Sequence, residues 1–165
     1  MFLPFYNGVL IVMPLSVARI YYPVKTLGPG RRVGIWTAGC SHNCRGCISP
    51  ELQSADAGQR MATSEIIALV NRVGCTPEGF TISGGEPFLQ VEALCGLVEA
   101  LALISDDILI YTGFLLDELI ATVYKGNIIK NLIMDCQSYT KYRPNETTGG
   151  IFVSWRRKEE LPTGA

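Results

Sequence analysis

Three cysteines lie close together in the run from Thr37 to Ile48. Cys40, Cys44 and Cys47 are separated by three and then by two residues. Three thiolates at this spacing can bind one metal centre, but a four-iron four-sulfur cluster and a tetrahedral zinc ion each take four ligands. One coordination position is therefore left open. An open position on a metal centre is where a small molecule binds and reacts.

Two structural interpretations of these cysteines stay open. The loop could form a structural zinc site with His42, although His42 lies only two residues from both Cys40 and Cys44, so that binding the same ion would strain the loop. A fourth zinc ligand could also come from another cysteine: Cys75, Cys95 or Cys136. The other interpretation is a disulfide with a spare thiol, but the six cysteines show no disulfide framework and no secretory signal is recognisable.

A second motif of chemical interest is Ser83-Gly84-Gly85-Glu86-Pro87, which follows a short apolar run. The two glycines allow the backbone to approach a ligand closely or to take a positive φ. Glu86 offers an anionic acceptor suited to an ammonium group, and Pro87 fixes the exit of the turn. Alone, the motif also fits an ordinary tight turn between a strand and a helix. Beside the three cysteines, it indicates a cofactor site.

The composition is that of an ordinary globular protein. The chain has 165 residues, 48% of them hydrophobic and 18% charged, with a formal net charge of −1. We expect one domain over residues 1–165, long enough for a core but short of the roughly 250 residues of a complete eightfold α/β barrel. This charge balance argues against a nucleic-acid partner. The small basic clusters are interpreted as solvated surface: Arg31, Arg32, Arg45, Arg156, Arg157 and Lys158.

The two ends of the chain differ from its middle. Residues 1–14 are apolar and are interpreted as an N-terminal extension, and Met13 offers a second starting methionine. This stretch is too short to span a membrane and lacks a cationic segment, so we expect no membrane partner and a cytoplasmic location. Residues 157–165 are interpreted as a C-terminal tail.

Strand and helix patterns alternate between these ends. Strands are predicted over residues 15–24, 32–37, 80–83, 107–111, 128–134 and 151–155. Helices are predicted over residues 64–73, 91–104 and 116–124, with Thr63 or Ser64 capping the first. The alternation predicts an α/β fold, namely a partial, open (β/α) barrel of five to six mostly parallel strands. The cysteine loop, the Gly84-Gly85 turn and Tyr111 should meet at the carboxyl ends of the strands. The open side would suit a protein segment.

The two motifs together resemble those of the radical S-adenosylmethionine superfamily. Within it, the chain is most similar to the activating enzymes of anaerobic ribonucleoside-triphosphate reductase, and Gly46 before the third cysteine is typical of that subfamily. The resemblance runs from about residue 21 to residue 156. The matching segments are Tyr21-Tyr22-Pro23-Val24, Gly28-Pro29-Gly30 with Arg32, Gly39 to Cys47, Ser83 to Pro87, Tyr111-Thr112-Gly113 with Asp117-Glu118-Leu119, and Trp155-Arg156.

The resemblance implies a reaction and a set of ligands. Cys40, Cys44 and Cys47 would bind three irons of a four-iron four-sulfur cluster, and S-adenosylmethionine would chelate the fourth. Residues Gly46, Cys47 and Ile48 would line this cofactor, Gly84, Gly85 and Glu86 would hold its methionyl part, and Tyr111 would flank the pocket. Reductive cleavage would yield methionine and a 5′-deoxyadenosyl radical. No side chain of the chain itself is expected to act as a catalytic acid, base or hydrogen donor.

The resemblance also implies two protein partners. The radical would take a hydrogen atom from the Cα of a glycine in a glycyl-radical enzyme such as anaerobic ribonucleotide reductase. Because the sulfonium accepts an electron only at a low potential, a flavodoxin or ferredoxin is expected as the donor. Two alternatives remain: a radical enzyme acting on another peptide or a small molecule, and a non-catalytic electron carrier or zinc module.

The C-terminal third departs from the family pattern. Asp135-Cys136 stands where the family has Asp-Gly, and Arg157 to Leu161 replaces the family's Gly-Ser-x-Asn-Gln segment. Cys136 is interpreted as a small buried residue at a strand end rather than a radical relay, and Cys75 and Cys95 as helix-end and core residues. The departures thus fall in the part of the chain that would help to recognise a substrate or partner.

Overall fold

A six-stranded mixed sheet organises the described part of the chain. The computed structural model describes residues 5–6, 9–10, 13–115, 118–119 and 151–155. The strands are β1 (Phe5–Tyr6), β2 (Val9–Leu10), β3 (Leu15–Val24), β4 (Arg32–Thr37), β5 (Gln59–Met61), β6 (Gly79–Gly84), β7 (Ile108–Thr112) and β8 (Ile151–Trp155). The helices are α1 (Thr63–Asn71) and α2 (Val91–Leu101), with 3-10 turns at Pro50–Leu52, Ala55–Ala57 and Pro87–Gln90. The sheet order is β5-β3-β4-β6-β7-β8, and β1 and β2 form a separate two-stranded sheet.

Alternating apolar side chains form one buried face of the sheet. The central strands contribute side chains that are fully buried: Val33, Ile35, Phe80, Ile82, Ile108 and Ile110. These residues share one core cluster with apolar positions of both helices, such as Ile66 of α1 and Leu94 and Leu97 of α2. Burial of so much apolar area, at roughly 25 cal/mol per Å², is the main force that holds the helices on this face.

Helix α1 begins differently from the prediction. Its N-cap is Ala62, so neither Thr63 nor Ser64 caps it. Instead, a Glu65 carboxylate oxygen accepts a hydrogen bond of 2.6 Å from the Ala62 backbone N–H. A carboxylate in the first turn also interacts favourably with the helix dipole, which explains why the helix needs no hydroxyl cap.

The parallel pairing of three strands brings their carboxyl ends to one edge. Thr37 of β4 lies level with Gly84 of β6, and Ile82 of β6 lies level with Ile110 of β7. The segments that leave β4, β6 and β7 must therefore emerge side by side. This confirms the prediction that the cysteine loop, the glycine turn and the end of β7 share one edge.

The prediction of a mostly parallel sheet is not confirmed. In the described sheet β4 and β7 pair with β6 in parallel, whereas β3 pairs antiparallel with both β4 and β5, and β7 pairs antiparallel with β8. The reason for the first antiparallel pair is the short turn around Gly28-Pro29-Gly30, which joins β3 and β4 without a helix. Five of the six predicted strands lie in this sheet, namely β3, β4, β6, β7 and β8, whereas β5 was not predicted.

Several predicted elements fall outside the described residues. The strand at 128–134 and nearly all of the helix at 116–124 lie there, as do Cys136 and the tail at 157–165; only Glu118 and Leu119 of that helix are described. Within the described part, no helix is both long and apolar enough to cross a lipid bilayer.

A buried arginine, Arg32, joins the amino-terminal ends of the three parallel strands, so its interpretation as solvated surface is wrong. The Arg32 side chain is fully buried and pairs with Asp107 just before β7, with an Nη1 to Oδ2 distance of 2.9 Å. It also donates hydrogen bonds to the Phe80 carbonyl oxygen, at 2.6 Å, and to the Thr81 hydroxyl oxygen, at 2.7 Å. A buried charge is tolerable only when its donors are satisfied in this way, so the strand starts are fixed relative to one another.

We predict that Arg32→Met lowers the free energy of unfolding by about 3 kcal/mol, because it leaves the buried acceptors without donors. Arg31→Met is the matched control. Arg31 pairs with Glu78 at 3.1 Å on the surface and lowers the pKa of that carboxyl, but both side chains are more than half exposed. The control should not shift the urea midpoint of the cluster-free protein measurably. Equal midpoints for the two variants would contradict the role of Arg32.

Candidate metal and cofactor site

The cysteine loop leaves the carboxyl end of β4 and returns to the same place. Its entry is fixed by two backbone hydrogen bonds of 2.9 Å, from the Gly39 N–H to the Leu52 carbonyl oxygen and from the Cys40 N–H to the Gln53 carbonyl oxygen. The 3-10 turn at Pro50–Leu52 therefore closes the loop beneath the three cysteines. The loop has a fixed base and a largely exposed rim.

Left-handed backbone precedes each of the three cysteines. Gly39 has a φ of 96°, Asn43 of 46° and Gly46 of 79°, and these residues stand directly before Cys40, Cys44 and Cys47. Glycine and asparagine are the residues that adopt this conformation at little cost. Each left-handed residue reverses the local direction of the chain, which keeps this short segment curled on itself.

The donor set fits the expected cluster chemistry. All three thiols are free; Cys44 is exposed, and Cys40 and Cys47 are half-buried. Soft thiolate donors are those that hold iron-sulfur clusters. In the described part of the chain, however, no three side chains of the cysteine, histidine or carboxylate type gather round one point. The loop thus brings the three cysteines onto one short curled segment without drawing their sulfur atoms together.

The other cysteines lie apart from this loop. Cys75 precedes β6 and so lies at the opposite edge of the parallel strands, where its sulfur is 3.1 Å from the Tyr22 hydroxyl oxygen and raises the pKa of that tyrosine. Cys95 is buried within α2, and burial raises the pKa of its thiol to about 12. Neither is placed as a fourth ligand for the loop, which removes two of the proposed zinc ligands. Cys136 lies outside the described residues.

The glycine turn after β6 packs directly on the start of the cysteine loop. The Gly85 N–H donates to the Thr37 carbonyl oxygen and the Glu86 N–H donates to the Gly39 carbonyl oxygen, both at 2.8 Å. Gly84 has a φ of 116°, and a Cβ there would overlap the Thr37 backbone. A Cβ on Gly85 would overlap the Gly39 carbonyl oxygen. The close contact therefore requires glycine at both positions.

The Glu86 side chain is buried and holds neighbouring chain segments together. Its side chain is only 1% exposed. One carboxylate oxygen accepts hydrogen bonds from the Phe88 N–H at 2.9 Å and the Thr112 hydroxyl at 2.8 Å, and the other accepts from the Gly113 N–H at 2.7 Å. These bonds compensate the buried charge and join the glycine turn to the end of β7. The sequence predicted Glu86 as a cofactor residue but gave no sign of these internal partners.

The remaining predicted cofactor residues lie along the same edge. Gly46 is exposed with open space around it, and Ile48 is 99% exposed. Tyr111 is half-buried near the end of β7, on the opposite side of the strand from the buried Ile108 and Ile110. Their position at this edge agrees with the prediction.

Sequence reasoning missed two features near the site. Trp36 is half-buried on the face of β4 that points away from the helices, and the Arg19 guanidinium lies 5.0 Å from the centre of its ring. His42 contacts Glu86 and Phe114. The face on which Trp36 lies could have been predicted from the alternation along β4, because Val33 and Ile35 occupy the buried positions.

A family model and several proteins of one name match this chain. Residues 26–146 match the family model described as a 4Fe-4S single cluster domain. The anaerobic ribonucleoside-triphosphate reductase-activating protein of Salmonella typhi is 32% identical over 123 residues, which are 70% of this chain and 80% of that protein. The protein of the same name from Haemophilus influenzae is 34% identical over 107 residues, or 60% and 69% of the two chains.

Among solved structures, the fold is similar to that of QueE from Escherichia coli. The TM-score is 0.50 at 16% sequence identity, and the match covers 61% of this chain and 53% of that one. At this identity the likeness concerns the fold.

We predict that Gly85→Ala lowers the free energy of unfolding by about 1–3 kcal/mol, because the added methyl group overpacks the contact with Gly39. Iron bound after anaerobic reconstitution should fall as well, since the base of the cysteine loop must move. Gly96→Ala is the control: a Cβ there meets only the Thr63 hydroxyl oxygen at 4.0 Å, within helix α2. The control should be neutral or slightly stabilising. Urea unfolding and iron analysis measure both effects, and an unaltered Gly85→Ala protein would contradict the packing argument.

We predict that Cys95 resists alkylation in the native, cluster-free protein. The thiolate is the reactive form, and a pKa of about 12 keeps the Cys95 thiol neutral up to about pH 10. Labelling with iodoacetamide, read by peptide mass spectrometry, should be more than about 100-fold slower at Cys95 than at the exposed Cys44. In urea the two should react at similar rates. Rapid native labelling of Cys95 would show that α2 opens readily.

Proposed function

Because this chain belongs to the family of anaerobic ribonucleoside-triphosphate reductase-activating proteins, we propose that it generates a glycyl radical on an anaerobic ribonucleotide reductase. The chain is a radical S-adenosylmethionine enzyme with a four-iron four-sulfur cluster. The observation that carries the proposal is the hydrogen bonding of the three-thiol loop to the glycine turn at one edge of the sheet.

Cys40, Cys44 and Cys47 would hold the cluster, with S-adenosylmethionine on its open position. When bound, the two groups would supply one-electron reductive cleavage of S-adenosylmethionine, with the electron coming from an external donor, and hydrogen-atom abstraction from the target glycine. The products would be methionine, 5′-deoxyadenosine and a glycyl radical. The protein contributes the ligands, the alignment and the exclusion of water.

The residues along the edge have distinct parts in this alignment. Gly46, Cys47 and Ile48 would line the cofactor, and Tyr111 would flank it. Gly84 and Gly85 would bring backbone close to its methionyl end. Glu86 already accepts three hydrogen bonds, so only the remaining lone pairs of its carboxylate could accept from an ammonium group. The main role of Glu86 is to hold the glycine turn in place.

The partners follow from the chemistry. The target glycine donates the hydrogen atom itself, so no hydrogen-donating side chain is needed on this chain. A partial barrel, left open at its side, would admit a loop of the partner enzyme to the face that carries Trp36 and Tyr111.

We propose a flavodoxin or ferredoxin as the electron donor and the cytoplasm as the location, with neither nucleic acid nor membrane as a partner.

We predict that the reconstituted protein, reduced with dithionite, converts S-adenosylmethionine to 5′-deoxyadenosine and methionine in equal amounts. Cys44→Ala should fall to the background of the cluster-free protein, because a cluster ligand is lost. Cys75→Ala is the matched control, since Cys75 is also an exposed, free cysteine but lies away from the loop. It should retain wild-type activity. Anaerobic incubation and chromatography of both products measure the result.

The same experiment separates the alternatives. If a protein with a full, reducible cluster makes no 5′-deoxyadenosine, the radical reaction is wrong and an electron carrier is favoured. If 5′-deoxyadenosine forms but added anaerobic ribonucleotide reductase gains no glycyl radical in electron paramagnetic resonance, the radical reaction stands and the partner is another peptide or a small molecule.

A further inference from the structure

His42 links the rim of the cysteine loop to the rest of the site. Its Nε2 atom lies 3.3 Å from a carboxylate oxygen of Glu86. The direction does not suit a hydrogen bond, and this buried nitrogen has no hydrogen-bond partner among the described residues. The contact with Glu86 is therefore one of packing rather than a directed hydrogen bond.

The His42 ring also packs on the segment that follows β7. Its centre lies 4.5 Å from that of the Phe114 ring, with an angle of 66° between the planes, which is an edge-to-face contact. A Cβ on Gly113 would lie 2.9 Å from the His42 Cδ2 atom and 3.0 Å from its Nε2 atom. The ring thus fills the space that a side chain at Gly113 would occupy. The Gly113 backbone is not left-handed, so glycine is needed here for the space that the ring takes and not for its backbone conformation.

The rim of the loop has little other attachment. Four consecutive residues, Asn43 to Gly46, are exposed, as is Ile48, whereas His42 is half-buried with a side chain 22% exposed. The base of the loop is held by Gly39 and Cys40. Between this base and Cys47, His42 is the residue whose ring reaches across to a different strand end.

We propose that His42 is a positioning residue that latches the cysteine loop onto Glu86, Gly113 and Phe114. The latch limits the positions open to Cys40 and Cys44 on either side, so that less conformational entropy is lost when the loop closes on a cluster. The proposal concerns the ring of His42 and its packing, and it does not make His42 a metal ligand. It rests on the proposed function only in taking the cluster as the occupant of the loop.

The latch predicts effects that do not depend on activity. In the cluster-free protein, His42→Ser should speed hydrogen exchange of the two hydrogen-bonded amides that flank the rim, those of Cys40 and Cys47, by about tenfold or more. After reconstitution, iron should be lost to a chelator about 10–100-fold faster, the usual effect of removing a residue that orients metal ligands. His42→Phe keeps a ring against Gly113 and Phe114, so it should restore most of the exchange protection and iron retention.

Gly113→Ala tests the same contact from the other side. Its added methyl group would displace the His42 ring without altering any residue of the loop. It should reproduce the effects of His42→Ser, and in a protein that already carries His42→Ser it should add little. Gly96→Ala is again the control, and it should leave exchange of the Cys40 and Cys47 amides unaltered. Urea unfolding of every variant shows whether the global stability is preserved.

Several outcomes would overturn the latch. Wild-type exchange and iron retention in both His42→Ser and Gly113→Ala would do so, and so would additive effects in the double variant. If His42→Phe behaves like His42→Ser, the ring packing is not the cause. The result is separate from the proposed function, because exchange is measured without a cluster. A wild-type protein that binds iron but cleaves no S-adenosylmethionine would refute the reaction and leave the latch standing.

Discussion

The buried carboxylate of Glu86 is the interaction on which the arrangement of the site depends. It holds the Thr112 hydroxyl and the Gly113 N–H at the end of β7, while its own backbone N–H is held by Gly39 at the start of the cysteine loop. A charge that is 1% exposed is stable only when such donors surround it, so the carboxylate cannot move without breaking several bonds at once. Three chain segments from three parallel strands are thereby fixed to one another.

The opposite ends of the same strands have a buried charge of the other sign. Arg32 joins β4 to Phe80 in β6 and to Asp107 before β7. The three parallel strands are thus fixed at both ends by polar side chains and in the middle by apolar packing. The loops that leave this edge of the sheet are therefore held at fixed distances from one another by a rigid support.

The sequence predicted the strands and the chemistry well, and the pairing and internal contacts less well. The bounds of β3 and β4 agree because their alternating or apolar patterns end at proline and glycine turns. The antiparallel pairing of β3 with β4 was missed, although the turn at residues 28–30 indicated a connection without a helix. Strand β5 was missed because its three residues, Gln59–Met61, have no buried pattern of their own. His42 was considered only as a metal ligand, since contacts with Glu86 and Phe114 depend on three segments far apart in the chain.

The exposed rim of the cysteine loop is a surface that a bound cofactor would cover. Ile48 is 99% exposed and follows directly after Cys47, and Cys44 is exposed as well. Covering an apolar side chain with a ligand lowers the free energy by about 25 cal/mol for each Å² that is removed from water. Binding of a cofactor at this rim would therefore be favoured by the apolar area that it covers. A rigid base built on Glu86 and an open rim that is completed by its occupant together suit a metal centre with a reactive open position.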